Sequence, residues 1–275
     1  MAWRAGRMIG APLMRAESLR NAITEPVKVT APMATPSDIS TRLDLGIAPT
    51  VPMNVIAEIG VNHEGSLERA KEMIDQVARA GGHAAKFQTY KAATLAAKTT
   101  SPAYWDQTKE PTSSQFELFQ RWDNFGPAEY AELAAHCKLR GIDFMSTPFS
   151  LDAVDMLAPL QKSTKVASAD LTNIPLLRKI AKTNTPVIMS VGASSYEEIE
   201  NSLNVLLEAG APSVTLLHCI LNYPTPQENA NIGQIKKLQE MFGERVAIGY
   251  SDHVRPEDDG TVPAVEMAAL FGAVV

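Results

Sequence analysis

The sequence predicts an α/β protein whose parallel strands close into a (β/α)8 barrel, and three observations carry that expectation. From Asn54 onward, short apolar runs alternate with helical patterns without a break. Such alternation requires a parallel sheet, because parallel neighbours need crossover helices. The runs are continuously apolar, as strands buried on both faces are. Seven runs and the opening of an eighth occupy residues 54–275, close to the roughly 200–250 residues that eight such units take. A doubly wound open sheet competes, but it announces itself by a Gly-rich phosphate loop after its first strand. That place holds EIGVNHEG.

The elements follow in order. NVIAEIG (54–60) is a strand, and a helical pattern runs from Leu67 to Ala80. HAAKFQTY (83–90) is the second strand, followed by an insertion over about 91–125 containing SPAYW and FELFQRW. A helix at about 127–140 precedes the strand DFMSTPFS (143–150), and another helix leads to TKVASAD (164–170). IPLLRKIAKT is helical and PVIMSVG (186–192) is a strand. SYEEIENSLNVLLEAG is an amphipathic helix with Gly210 as its C′ residue. SVTLLHCI (213–220) is a strand, IGQIKKLQEMFG a helix and RVAIGYSDH (245–253) a strand. VPAVEMAALFG is helical, and AVV at 273–275 opens the eighth strand, within which the barrel is expected to be truncated.

Residues 1–50 differ from the rest and are expected to form a poorly ordered extension, with 51–275 as the barrel domain. The first 22 residues carry four arginines and one acid, and APMATPSDIS and GIAPTVP are rich in Pro, Ser, Thr and Ala. An Arg-rich, acid-poor start suits a transit peptide, a disordered tail or a start upstream of an internal Met53. The net charge of −6 argues against non-specific nucleic-acid binding, which needs clustered Lys and Arg. No apolar stretch reaches the about 18 residues of a membrane span. Cys137 and Cys219 make no framework and sit in apolar patterns typical of buried thiols, which suits a reducing, cytoplasmic setting.

In a barrel of this kind, active sites lie at the C-terminal strand ends. Those ends present Glu58; Lys86, Gln88 and Thr89; Ser146 and Thr147; Lys165, Ser168 and Asp170; Ser190; Asn222 and Tyr223; and Ser251, Asp252 and His253. A core without function has no use for this ring, since buried polar groups must be paired. Two lysines among hydroxyls suit an anion such as phosphate. Glu58 and Asp170 suit acid–base work or a hydroxylated substrate, and His253 suits a metal. Singly, each residue also has a structural reading. Glu58 could hold a loop amide, Lys86 or Lys165 could pair with Asp170, and Tyr223 could pack its turn. His253 could be a hydrogen-bonded loop residue and His63 a loop residue capping the first helix. His83 and His136 look structural or solvated, and His218 looks like a core histidine.

IAEIGVNHEG, AKFQTY, STPFS, KVASAD, LLHC..NYPTP and IGYSDH, in unbroken order over 54–275, resemble the sialic acid (N-acetylneuraminate) synthase family. The resemblance implies condensation of phosphoenolpyruvate with an N-acylated amino sugar, giving a nine-carbon 2-keto acid and phosphate. It implies Glu58 and Tyr223 as catalytic residues. Lys86, Thr147, Lys165, Ser168, Ser190 and Ser251 would grip phosphoenolpyruvate. Gln88 and Asp170 would face the sugar with Tyr223, Asn222 would also touch substrate, and His253 would bind Mn2+ or Mg2+. It further implies a homodimer for full-length relatives and a C-terminal antifreeze-like domain, which is expected to be absent from this chain. Three departures stand out: Leu221 lies where relatives often carry a small or polar residue, with Asn222 one place along. Asp170 replaces a glutamate. The histidine that would partner His253 on strand eight is not in the sequence. The expectation is therefore a barrel with exposed strand edges, poor metal retention and weak or absent activity. A Schiff-base aldolase using Lys165, or a barrel that binds ligand without turnover, are the competing functions.

Overall fold

The computed structural model describes residues 53–99, 107–108, 110–255 and 262–275. The expectations about residues 1–50 and the SPAYW segment lie outside the described residues. The alternation foreseen from the sequence is the observed one. Strand β1 (Ile56–Gly60) leads to helix α1 (Leu67–Arg79), and β2 (Ala84–Thr89) to the short α2 (Ala92–Leu95), α3 (Gln115–Trp122) and α4 (Pro127–Arg140). Then come β3 (Asp143–Pro148), α5 (Leu151–Leu157), β4 (Thr164–Val166), α6 (Ile174–Ala181), β5 (Val187–Ser190) and α7 (Tyr196–Glu208). The chain continues through β6 (Val214–Cys219), α8 (Gln234–Phe242), β7 (Ala247–Ser251) and α9 (Ala264–Leu270).

The helices begin and end where their local chemistry dictates. Ser66 caps α1 by accepting from the Arg69 N–H, and Ser195 and Glu198 form a reciprocal capping box on α7. Gly210 follows α7 with φ +99°, which a residue with a Cβ rarely adopts.

All ladders are parallel, in the orders β1-β2-β3 and β4-β5-β6-β7. Strands β3 and β4 run side by side without a backbone ladder between them. A side chain spans that seam: buried Gln161 accepts from the Ser146 N–H at 2.9 Å and donates to Thr164 Oγ1 at 3.1 Å.

The expected open gap after β7 is bridged, which corrects the picture of exposed edges. Val274 N donates to Ile248 O at 3.0 Å, and Tyr250 N donates to Val275 O at 2.8 Å. On the other side, Asn54 N donates to Val274 O at 2.8 Å. Two residues, Val274 and Val275, thus tie β7 to the chain entering β1.

Side chains alternate between two environments, as strand geometry requires. Outward residues such as Phe87, Phe144, Val166, Met189, Leu216 and Ile248 pack under the helices in two large clusters. Inward residues Ile56, Ala84, Met145, Ile188, Leu217 and Val275 form a separate small cluster that fills the barrel. The insertion between β2 and α4 packs its own cluster, including Phe116, Leu118, Phe119 and Trp122, on Val61, Tyr90 and Phe149, just past the ends of β1, β2 and β3. No described helix is long and apolar enough to cross a membrane.

Candidate active site

One step beyond the apolar filling, the same alternation turns polar. Register pairs Glu58 with Lys86, and Gln88 with Thr147. On the opposite wall Ser190 pairs with Leu217, and Cys219 with Ser251. Inward positions therefore bring Glu58, Lys86, Gln88, Thr147, Ser190, Cys219 and Ser251 to one mouth. Lys165 starts a level lower, in register with Ile188. Its stem climbs beside the apolar filling, and Nζ donates to Ser190 Oγ at 2.6 Å and to Val166 O at 2.9 Å.

Lys86 Nζ donates to Glu58 Oε2 at 2.5 Å. The Lys86 side chain is 5% exposed and that of Glu58 47% exposed, so solvent reaches the carboxylate through the mouth although protein surrounds it. Burial pushes the Glu58 carboxyl up, but the charges of Lys86 and Lys165 outweigh this and hold it below the ordinary range. Burial and the Lys86 charge bring Lys165 down to about 8, against a smaller upward pull from Glu58. The site thus sets one ionised carboxylate against two buried amines.

Ser168 and Asp170 are not on β4, as expected from the sequence, but on a 3-10 turn, Ser168–Asp170, that follows it. The turn aims the Ser168 hydroxyl at the end of β5, where Oγ accepts from Gly192 N at 3.0 Å. Asp170 does not pair with Lys165; its carboxylate accepts from Asn173 Nδ2 at 3.0 Å, and burial raises its pKa. Strand β7 ends at Ser251, so Asp252 and His253 belong to the turn after it. Asp252 Oδ1 accepts from Tyr250 OH and Val254 N, which makes it a turn residue. Asn222 is exposed, and its carbonyl accepts from Thr225 Oγ1. The ring of Tyr223, whose peptide to Pro224 is cis, lies 4.0 Å from that of His253.

The other histidines have structural places. Buried His63 stacks on Phe125 at 4.3 Å and accepts from Gly65 N, while Ser66, not His63, caps α1. His136 pairs with Asp75, His83 accepts from Val55 N, and His218 donates to Ala230 O. Both cysteines are free and buried, as expected.

Two site residues escaped the sequence reading. Cys219 lies inside the mouth; burial raises its thiol, opposed by Lys165 and by hydrogen bonding with Ser168. Its spacing of two from inward Leu217 was the available signal. Gly192 lets the end of β5 approach β6: a Cβ there would stand 2.9 Å from Cys219 O and 3.0 Å from Leu221 Cγ. Gln88 Oε1 is buried without a hydrogen-bond partner among the described residues, an acceptor for a ligand's N–H or O–H.

Against a divalent cation the donor set falls short. His253 Nδ1 donates to Ile220 O at 2.6 Å, which leaves Nε2 as the free acceptor and suits a metal ligand. Among the described residues, however, no group of three or more His, Cys, Asp or Glu side chains could hold an ion.

The NeuB family model matches residues 73–275. An N,N'-diacetyllegionaminic acid synthase of Campylobacter jejuni is 40% identical over 205 residues, covering 73% of this chain and 60% of that protein. A protein of the same name from Legionella pneumophila is 34% identical, covering 72% of this chain and 57% of that one. Among solved structures, an N-acetylneuraminic acid synthetase of Leptospira borgpetersenii in complex with citrate superposes with TM-score 0.70 at 30% identity, covering 81% of this chain and 71% of that one. The chain spans less than two thirds of the length of the curated relatives named here.

Proposed function

Because the chain belongs to the NeuB family, we propose that it condenses phosphoenolpyruvate with an N-acylated amino sugar, releasing phosphate and a nine-carbon 2-keto acid. The observation that carries this reading is the ionised Glu58 facing buried Lys86 and Lys165 across one mouth. Phosphoenolpyruvate brings several negative charges and one carbon that must turn electron-deficient, and the mouth answers both needs.

In this reading the two ammonium groups neutralise the phosphate and carboxylate, and the hydroxyls of Thr147, Ser168, Ser190 and Ser251 donate to their oxygens. Ser168 accepts from Gly192 N, which holds its hydroxyl at the mouth. The sugar sits toward Gln88, Asp170, Asn222 and Tyr223. C3 of phosphoenolpyruvate forms a bond to the sugar's aldehyde carbon as the C=O π bond breaks, and positive charge develops at C2. Water adds at C2, and one of its protons ends on the former aldehyde oxygen, now a hydroxyl. The bond from C2 to the bridging oxygen then breaks, phosphate leaves with the electron pair and the second proton, and C2 becomes the ketone. Glu58 is ionised at neutral pH, so it stabilises the charge at C2 and takes the proton of the incoming water; it does not act as an acid. His253 is assigned as one ligand of a divalent cation, and the steps above run on protein groups alone. Two free, buried cysteines support a cytoplasmic setting.

The test uses phosphoenolpyruvate carrying 18O at its bridging oxygen, with N-acetylmannosamine or a diacetylated analogue as acceptor. The label is expected in released phosphate. Label retained in the organic product would refute the reading, and borohydride trapping of pyruvate on Lys165 would replace it with an imine-forming aldolase.

A further inference from the structure

We propose that Thr225 is a positioning residue that fixes the rings of His253 and Tyr223 in one arrangement at the mouth. The use of those rings rests on the synthase reading; their placement rests on geometry alone. The chain after β6 holds His253 at two points. Ile220 O accepts from the His253 ring at 2.6 Å, and Thr225 N donates to the His253 main-chain oxygen at 2.8 Å. A parallel bridge from Thr225 to Val254 extends the second hold.

Thr225 is 1% exposed, so its hydroxyl has protein and not water to bond. It donates to Asn222 O at 2.7 Å. That bond closes a turn over Asn222, Tyr223, Pro224 and Thr225, and so sets where the Tyr223 ring projects. The ring meets His253 at 4.0 Å and 42°. Asn222 itself is exposed, so without the hydroxyl its carbonyl turns to water and the curvature of the turn loses its clasp. Thr225 acts through both rings.

The test is Thr225→Val, which keeps the shape and the main-chain donor and removes only the clasp. The full chain, labelled at histidine, is read by NMR. The current of the Tyr223 ring displaces the His253 ring-proton signals, and Tyr223→Leu defines their position without it. Thr225→Val is expected to move the signals most of the way to that baseline, and Thr225→Ser to leave them in place. Thr225→Ala, lacking the hydroxyl and adding no bulk, gives a second reading of the same shift. In turnover, the KM for the sugar should rise about three- to tenfold in Thr225→Val, with phosphoenolpyruvate affinity unchanged and Thr225→Ser near the starting enzyme. Signals that stay put in both Val and Ala variants overturn the proposal. Signals that move in a protein with no turnover on any N-acylated amino sugar uphold the positioning role and sink the synthase reading instead.

Discussion

Replacing Gln161 by Leu should loosen the barrel at one identifiable place. Gln161 is 6% exposed and bridges the only side-by-side strand pair within β1–β7 that lacks a backbone ladder. Leucine keeps similar bulk, so little cavity forms. What is lost is the acceptor for the Ser146 N–H, 2.9 Å away in a residue with no solvent exposure. An unpaired buried N–H costs about 1–3 kcal/mol. Thr164 Oγ1 loses the Gln161 donor but keeps Thr185 at 3.1 Å, so its share is smaller. A destabilisation near 2 kcal/mol follows, or a fall in Tm of roughly 4–8 °C at this size. Urea denaturation followed by both tryptophan fluorescence and circular dichroism would measure it, and Ser146 should show the largest loss of amide-exchange protection. Since β3 carries Thr147 and β4 carries Lys165, affinity for phosphoenolpyruvate should also drop. A loss below about 0.5 kcal/mol, the scale of a neutral surface change, with Ser146 still protected, would refute the claim that the side chain replaces the missing ladder.

Two further outcomes concern the mouth. Lys165 titrates at about 8 in the fold against an ordinary 10.5. It is charged well below about 8 and loses its proton as pH rises through that value. Affinity for phosphoenolpyruvate should therefore fall above about pH 8, and Lys165→Met should remove that inflection in a calorimetric titration. The stability sign is opposite: between 8 and 10.5 the unfolded chain binds the extra proton, so Lys165 contributes a rise in stability with pH across that window. Glu58→Gln should lower kcat by roughly 100-fold or more, while phosphoenolpyruvate binding stays within a few-fold. A variant with ordinary turnover would remove Glu58 from the chemistry.

Much of this was legible beforehand, for a physical reason. Strands of period two, with polar residues near their C-terminal ends, can point those residues only into the barrel or out to the helices, and burial chooses. That logic placed Glu58, Lys86, Gln88, Thr147 and Ser190 on one wall or another of the same mouth. It failed at Thr89 and Ser146, which share the outward parity of Phe87 and bond each other at 2.7 Å, and where the chain leaves regular strand. Ser168 and Asp170 follow a strand of only three residues, and the turn after it, not the pleat, directs them. The partner of His253 Nδ1 is a main-chain carbonyl, which side-chain motifs do not reveal. Gln161 lies on no strand and carries no motif, and its task exists only because a ladder is missing beside it. Cys219 was hidden by its own character, since a buried thiol fits core and site equally well.

The tie between Asn54 and Val274 also bears on how the molecule assembles. It joins residues near opposite ends of the described chain, so closing it early would confine nearly everything between them before any packing compensates that loss of freedom. Neighbouring β/α units, with their short connections, can collapse first. The circle is then completed last, and it should also open first. Amides beside this join are expected to exchange through brief local opening, well before the two helix-covered clusters give way.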